Sequence, residues 1–117
     1  MAKIETLADI DEWQKLWSGP GPLLIFKRSP ICPTSFMVEN IFKRFVVGLP
    51  GDPGVRICSV DVIADRLVSQ RIAADTGIQH ESPQALLLSG KKVLWHDSHG
   101  GVDEESLSQA LKGICNF

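Results

Sequence analysis

Short apolar runs alternate along this chain with segments of helical periodicity, and breaks rich in Gly and Pro separate them, which restricts it to an α/β architecture. Leu7, Ile10, Trp13, Leu16 and Trp17 recur at helical spacing over residues 6–17, with acidic residues towards the front. Ser18-Gly19-Pro20-Gly21-Pro22 ends that pattern, and the run Leu23 to Phe26 is short enough for a buried strand. After Lys27-Arg28-Ser29-Pro30 a second helix begins at Pro33, whose fixed φ and missing N–H suit the first helical position. Met37, Ile41 and Phe45, with Val38 and Phe42 beside them, give this helix its expected core face.

The stretch Gly48 to Gly54 is a loop by composition, and Val55 to Val62 reads as a β-branched strand. A third helix follows over Asp65 to Thr76, carrying Leu67, Val68, Ile72 and Ala73 and closed by Gly77. Gln84 to Leu88 and Lys91 to His96 flank Ser89-Gly90 as a hairpin, and a last helix runs from Asp103 to Lys112. The order is α-β-α-β-α-β-β-α. Two strands joined through a helix favour a right-handed parallel crossover, and the hairpin supplies antiparallel strands. The expected fold is thioredoxin-like: a central four-stranded mixed sheet flanked by helices, with an extra N-terminal helix, in one domain spanning residues 1–117.

Charge and cysteine content narrow the function. Twelve basic against 14 acidic residues give a formal charge of −2, which offers no basic surface for a nucleic-acid backbone. No apolar run approaches the roughly 20 residues of a membrane span, and the acidic N-terminus is unlike a signal peptide, so a cytoplasmic protein is expected. Three cysteines are too few for a disulfide scaffold, and the spacing of Cys32, Cys58 and Cys115 contains no Cys-x-x-Cys and fits no structural zinc pattern. Any thiol chemistry must come from a lone cysteine or from cysteines that folding brings together.

Cys32 is the informative one. It follows a strand and immediately precedes Pro33, at the N-terminus of a helix, where unpaired N–H groups and the helix dipole favour the thiolate, the nucleophilic form. Lys27 and Arg28 are close enough in sequence to reinforce it, and Ser35, one helical turn on, has a hydroxyl able to donate to the sulfur. Ser82-Pro83 stands before the strand Gln84 to Leu88, where a thioredoxin fold places its cis-proline. A proline there aims the backbone of an extended peptide or thiol ligand at the cysteine. Cys58, inside a strand, reads as core, and Cys115, close to the C-terminus, as an accessory thiol at most.

These stretches together resemble a known family. Lys27 to Ser35, Val60 to Arg66, His80-Glu81-Ser82-Pro83-Gln84-Ala85-Leu86-Leu87 and Val93-Leu94-Trp95-His96 are similar to the YtxJ-type monothiol bacilliredoxins. The resemblance implies thiol-disulfide exchange in which Cys32 attacks a mixed disulfide between a protein and bacillithiol and takes the small thiol onto itself. It implies no tightly bound cofactor, S-thiolated proteins as partners, and bacillithiol, or alternatively glutathione, as co-substrate. The chain departs from the family at Arg28, where a His is frequent, and at Pro30-Ile31. Gly100-Gly101-Val102-Asp103 is closer to the turn with which glutaredoxins hold glutathione through backbone N–H groups and an acidic side chain.

The expected machinery is therefore Cys32, Pro33 and Ser35 for the chemistry, with Lys27, Arg28, Ser82, Pro83, Gly101 and Asp103 contacting the substrate. No metal is expected, since His96 and His99 lack further ligands, and a monomer is the default. Arg66, Gln70 and Arg71 read as a solvated helix face rather than a carboxylate site, and His80-Glu81 as a loop beside the ligand groove. The competing readings are a glutathione-dependent monothiol glutaredoxin, an iron-sulfur carrier, against which the rigid Pro33 ring argues, and a non-catalytic binding module of the same fold.

Overall fold

The structure is a computed structural model, and it describes residues 2–114. Its elements are β1 (Glu5–Thr6), α1 (Ile10–Ser18), β2 (Pro22–Arg28), α2 (Pro33–Val47), β3 (Arg56–Asp61), α3 (Arg66–Thr76), β4 (Gln84–Ser89), β5 (Lys92–Ser98), a 3-10 turn at His99–Gly101 and α4 (Glu104–Leu111). The sheet has five strands in the order β1-β3-β2-β4-β5 rather than the expected four. The additional strand is the two-residue β1, which pairs parallel with β3 through Glu5 opposite Cys58 and Thr6 opposite Ser59. Its formation moves the start of α1 from residue 6 to Ile10, where Asp9 caps the helix by accepting from the Asp11 amide at 2.8 Å. Leu7, read above as a helical position, donates its amide to the Ser59 carbonyl at 2.9 Å and is wholly buried.

β2 lies at the centre, parallel to β3 and antiparallel to β4. Side chains alternate across the sheet. Leu24 and Phe26 face one core with Val38, Phe42, Phe45 and Val46 of α2 and Leu107 and Leu111 of α4. Leu23 and Ile25 face the other, with Trp13 of α1, Cys58 and Val60 of β3, and Val68 and Ile72 of α3. The buried faces of two helices differ from the sequence reading. Met37 and Leu67 are exposed, 66% and 70%, because the faces turned to the sheet are Val38-Phe42-Phe45 and Val68-Ile72. In α2 the buried positions Val38 and Phe42 lie one residue beyond the expected Met37 and Ile41, with Phe45 buried as expected, a slip that adjacent apolar residues permit; in α3 Val68 and Ile72 are buried as expected and Leu67 is turned outward. Trp13 and Trp17 pack as stacked rings 5.4 Å apart, and Trp13 Nε1 donates to Asp75 at 2.8 Å.

The β4-β5 hairpin turns through Gly90 and Lys91, at φ of 55° and 64°, between paired Ser89 and Lys92. Two positive φ values in a two-residue loop are the type I′ geometry, and the strand twist demands it. Lys91 bears the left-handed strain, roughly 1 kcal/mol for an L side chain. Lys91→Gly is therefore expected to stabilise the protein by about 0.5 kcal/mol, the greater unfolded-state freedom of Gly offsetting the remainder. A urea unfolding midpoint below that of the wild type would contradict the turn assignment.

Candidate active site

The β2-α2 junction builds the site. Cys32 is the N-cap of α2 with extended backbone, φ −101° and ψ 118°, and Pro33 occupies the first helical position. The Cys32 carbonyl takes the Phe36 amide at 3.1 Å, while the amides of Thr34 and Ser35 have no carbonyl one turn back to bond. The Cys32 side chain makes no capping hydrogen bond and is half-buried. Ile31, Phe36 and Met37, around it in sequence, are exposed apolar side chains at 79%, 65% and 66%. Ser35 is wholly buried, and its Oγ accepts the Ser29 amide at 2.8 Å. That bond closes the loop between strand and helix and fixes the place from which Cys32 projects.

The two cations before the loop part company. Arg28 turns to the α2 side, where its guanidinium lies 2.8 Å from Glu39 and 3.2 Å from Asp61. Asp61 also accepts the amides of Ile63 and Ala64, each at 2.9 Å, and these bonds, with burial opposing and Arg28 assisting, hold its carboxyl below the usual range. Lys27 turns the other way and is wholly buried, which corrects its expected place on the substrate face. Its Nζ donates to the Ser69 carbonyl at 3.0 Å and lies 3.4 Å from His80 Nδ1. Burial pushes the Lys27 ammonium down to about 8.

At the same end of the sheet, where Gln84 pairs with Lys27 at the start of β4, the Ser82-Pro83 peptide bond is cis. Pro83 is buried, its carbonyl accepts the His99 amide at 2.9 Å, and Glu81 pairs with His99 at 3.4 Å. Ser98 first, and then His99, hold the Glu81 carboxyl below its ordinary value. Ser82 Oγ is buried without a hydrogen-bond partner. The sequence reading missed the polar pocket of Lys27, Ser69, His80 and Gln84 beneath this loop. Two signals were available: Ser69, polar on the face of α3 that carries Val68 and Ile72, and Lys27 itself, which alternation along β2 puts on the face of Leu23 and Ile25.

The turn that resembled a glutathione clamp does other work. A side chain at Gly101 would run into the Asp97 carboxylate, so the face that the missing side chain leaves is occupied. Asp103 caps α4, its Oδ1 accepting the Ser106 amide at 2.8 Å while Ser106 Oγ accepts the Asp103 amide at 3.0 Å. It lines a hollow of about 670 Å³ with Ile41, Arg44 and Phe45. Ile41 is nine residues beyond Cys32, about 13 Å along the helix axis, so that hollow belongs to the far part of α2.

The remaining thiols and cations sort plainly. Cys58 is 1% exposed, and burial first, with Glu5 next, pushes its thiol up to about 11. Cys115 lies outside the described residues. Arg71 pairs with Asp75 at 3.2 Å along α3. Among the described residues no group of three or more His, Cys, Asp or Glu is placed to hold a metal ion, and no helix is long and apolar enough to cross a membrane.

A sequence model of the family described as "Monothiol bacilliredoxin BrxC" matches residues 3–107. Among solved structures, a protein with a thioredoxin fold proposed to be an oxidoreductase superposes with a TM-score of 0.78 at 27% identity, covering 92% of each chain. Thioredoxin from Malassezia sympodialis also gives 0.78, at 17% identity over 97% of this chain and 92% of its own. Thioredoxin from Trypanosoma brucei brucei gives 0.75 at 13% identity, over 96% and 90%. The last two speak for the fold alone.

Two predictions follow from the site. Brief alkylation with iodoacetamide at pH 7, read by peptide mapping, is expected to label Cys32 and to spare Cys58 until the protein is unfolded, since buried thiols are inert. The second concerns Lys27, whose folded value of about 8 lies below the unfolded value of about 10.4. Between those values the unfolded chain holds more protons, so this group makes stability rise with pH there and penalises the fold fully below pH 8. Lys27→Met is thus expected to be more stable than wild type at pH 7 by roughly 2–3 kcal/mol, with the gap narrowing by pH 10. Urea unfolding of both proteins at the two pH values measures it; a less stable variant at pH 7 contradicts it.

Proposed function

Because the chain belongs to the monothiol bacilliredoxin family, we propose that it removes bacillithiol from mixed disulfides on cytoplasmic proteins with Cys32 as the nucleophile. The coarser statement, a thiol-disulfide oxidoreductase on a thioredoxin-like fold, comes with the family and the structural neighbours. The observation that carries the finer one is the half-buried, uncapped thiol of Cys32 at the start of α2, in a chain whose other described thiol is sealed in the core.

The Cys32 thiolate attacks the bacillithiol sulfur of the protein mixed disulfide. A new bond forms between the Cys32 sulfur and the bacillithiol sulfur, the old disulfide breaks, and the protein's own sulfur leaves as a thiolate that takes a proton from water. Cys32 now carries the small thiol. A second thiolate from solution attacks that adduct at the bacillithiol sulfur and departs with it as a disulfide, which returns Cys32 as thiolate; the electron pair comes from the incoming thiol. The start of α2, with its unpaired amides, favours the charge that Cys32 carries before attack and regains on release, Ser35 holds the loop, and Ser82-Pro83 orients the incoming chain. Exposed Ile31, Phe36 and Met37 suit a polypeptide around the modified cysteine.

The Asp97 carboxylate set against Gly101 counts against glutathione as the ligand, since it occupies the face of the turn that the missing side chain leaves. Incubation with a bacillithiolated protein is expected to release its thiol and to add the mass of bacillithiol to Cys32, and Cys32→Ser is expected to abolish both. The reading fails if Cys32→Ser keeps the activity, or if glutathionylated substrate reacts as fast as bacillithiolated substrate.

A further inference from the structure

We propose that Lys27 is a positioning residue: its buried ammonium fixes His80 as the neutral tautomer with its proton on Nε2, and His80 thereby offers a hydrogen-bond donor to a carboxylate oxygen of the small thiol beside Ser82-Pro83. The donation rests on the function proposed above; the tautomer does not. Lys27 is wholly buried, and its Nζ meets the Ser69 carbonyl at 3.0 Å and His80 Nδ1 at 3.4 Å. An ammonium has only donors to give, so the nitrogen facing it must accept. Ser69 Oγ, 3.3 Å from the same nitrogen, is free to donate to it as well. A neutral imidazole that accepts at Nδ1 carries its proton at Nε2, and a charged one would set two cations against each other.

Burial and then the Lys27 charge hold His80 below its ordinary value, with Glu81 opposing, and Lys27 keeps its proton at pH 7. Around the pair, α3 contributes Ser69 and β4 contributes Gln84, both uncharged, and β3 contributes Val60; the loop contributes Glu81. His80 is exposed although its Nδ1 points inward, so Nε2 is the nitrogen at the surface, two residues before Ser82.

The pocket is poor architecture for stability alone. Gln84 stands directly across from Lys27 in the ladder and keeps a buried Oε1 with no partner, although its Nε2 donates to the Gln79 carbonyl at 3.0 Å. A buried ammonium with no carboxylate beside it, next to an unsatisfied amide oxygen, lowers stability relative to an apolar replacement. Local departures of this kind concentrate at functional sites, and this one lies beneath the loop before β4, at the end of the sheet where β2 leads to Cys32.

Long-range proton–nitrogen NMR of the full protein at pH 7 tests the tautomer. Wild-type His80 is expected wholly as the Nε2–H form, and in Lys27→Met an Nδ1–H population appears and the titration midpoint of His80 moves up. A wild-type Nδ1–H form, or a variant whose ring pattern and midpoint match the wild type, overturns the tautomer assignment. His80 variants test the donation, and they also serve if Lys27→Met does not fold. With bacillithiolated protein as substrate, His80→Leu is expected to raise KM about tenfold, with most of the change in KM rather than kcat, and His80→Gln, which keeps an N–H near the Nε2 position, to recover most of it. An unchanged KM in His80→Leu overturns the donation. If wild-type Cys32 takes no bacillithiol at all, the proposed function has failed, and the NMR result still decides the tautomer.

Discussion

The position of β2 is the constraint on which the other features depend. Strands flank it on both edges and helices cover both faces, so its residues from Leu23 to Lys27 are buried whichever way they point. Four of those five are apolar, as a doubly covered strand requires, and the fifth is a lysine. The pleat then separates two cations that are adjacent in sequence. Lys27 shares a face with Leu23 and Ile25 and goes under α3, while Arg28 shares a face with Leu24 and Phe26 and reaches Glu39 and Asp61. Neither ammonium nor guanidinium is left free for the thiol at the end of the strand. What stands beside Cys32 in the chain is the start of α2, whose first amides have no helical partner.

The same geometry makes two cysteines of one chain chemically unequal. Cys58 sits opposite Ile25 in the parallel ladder, closed in by Leu7 and Trp13, where the desolvated thiol is held in its protonated form. Cys32 stands past the end of the neighbouring strand, where the chain has left the sheet and the Ser35-Ser29 bond turns it into a helix. Burial, not cysteine chemistry as such, decides which of the two can exchange.

The order of the longer strands and helices along the chain and the place of Cys32 were legible because each rests on a local signal: a short apolar run, a helical period, a proline at a helix start. β1 was not, since two residues carry no periodicity and Glu5–Thr6 becomes a strand only because the edge of β3 is unpaired without it. Met37 in α2 and Leu67 in α3 were placed in the core and are exposed, because each stands beside an apolar residue, Val38 or Val68, that takes the buried position instead. Lys27 was assigned to the ligand face on its nearness to Cys32, although alternation along β2 already set it on the face of Leu23 and Ile25. Asp103 resembled a ligand clamp in sequence and is a helix cap in space, because an acidic residue one position before a helix satisfies either description.

What the folded chain adds is the way the loop before β4 is held. His80 is tied to Lys27 and Ser69, Gln84 reaches back to the Gln79 carbonyl, and Pro83 and Glu81 are both joined to His99. These bonds come from β2, α3 and the segment after β5, so the loop cannot shift without disturbing three parts of the sheet's surroundings. Ordering a loop on binding costs affinity, and a loop ordered beforehand does not. The surface of the loop before β4 is therefore in place before anything binds to it, and the polar groups that hold it, rather than a change in its shape, set what it presents.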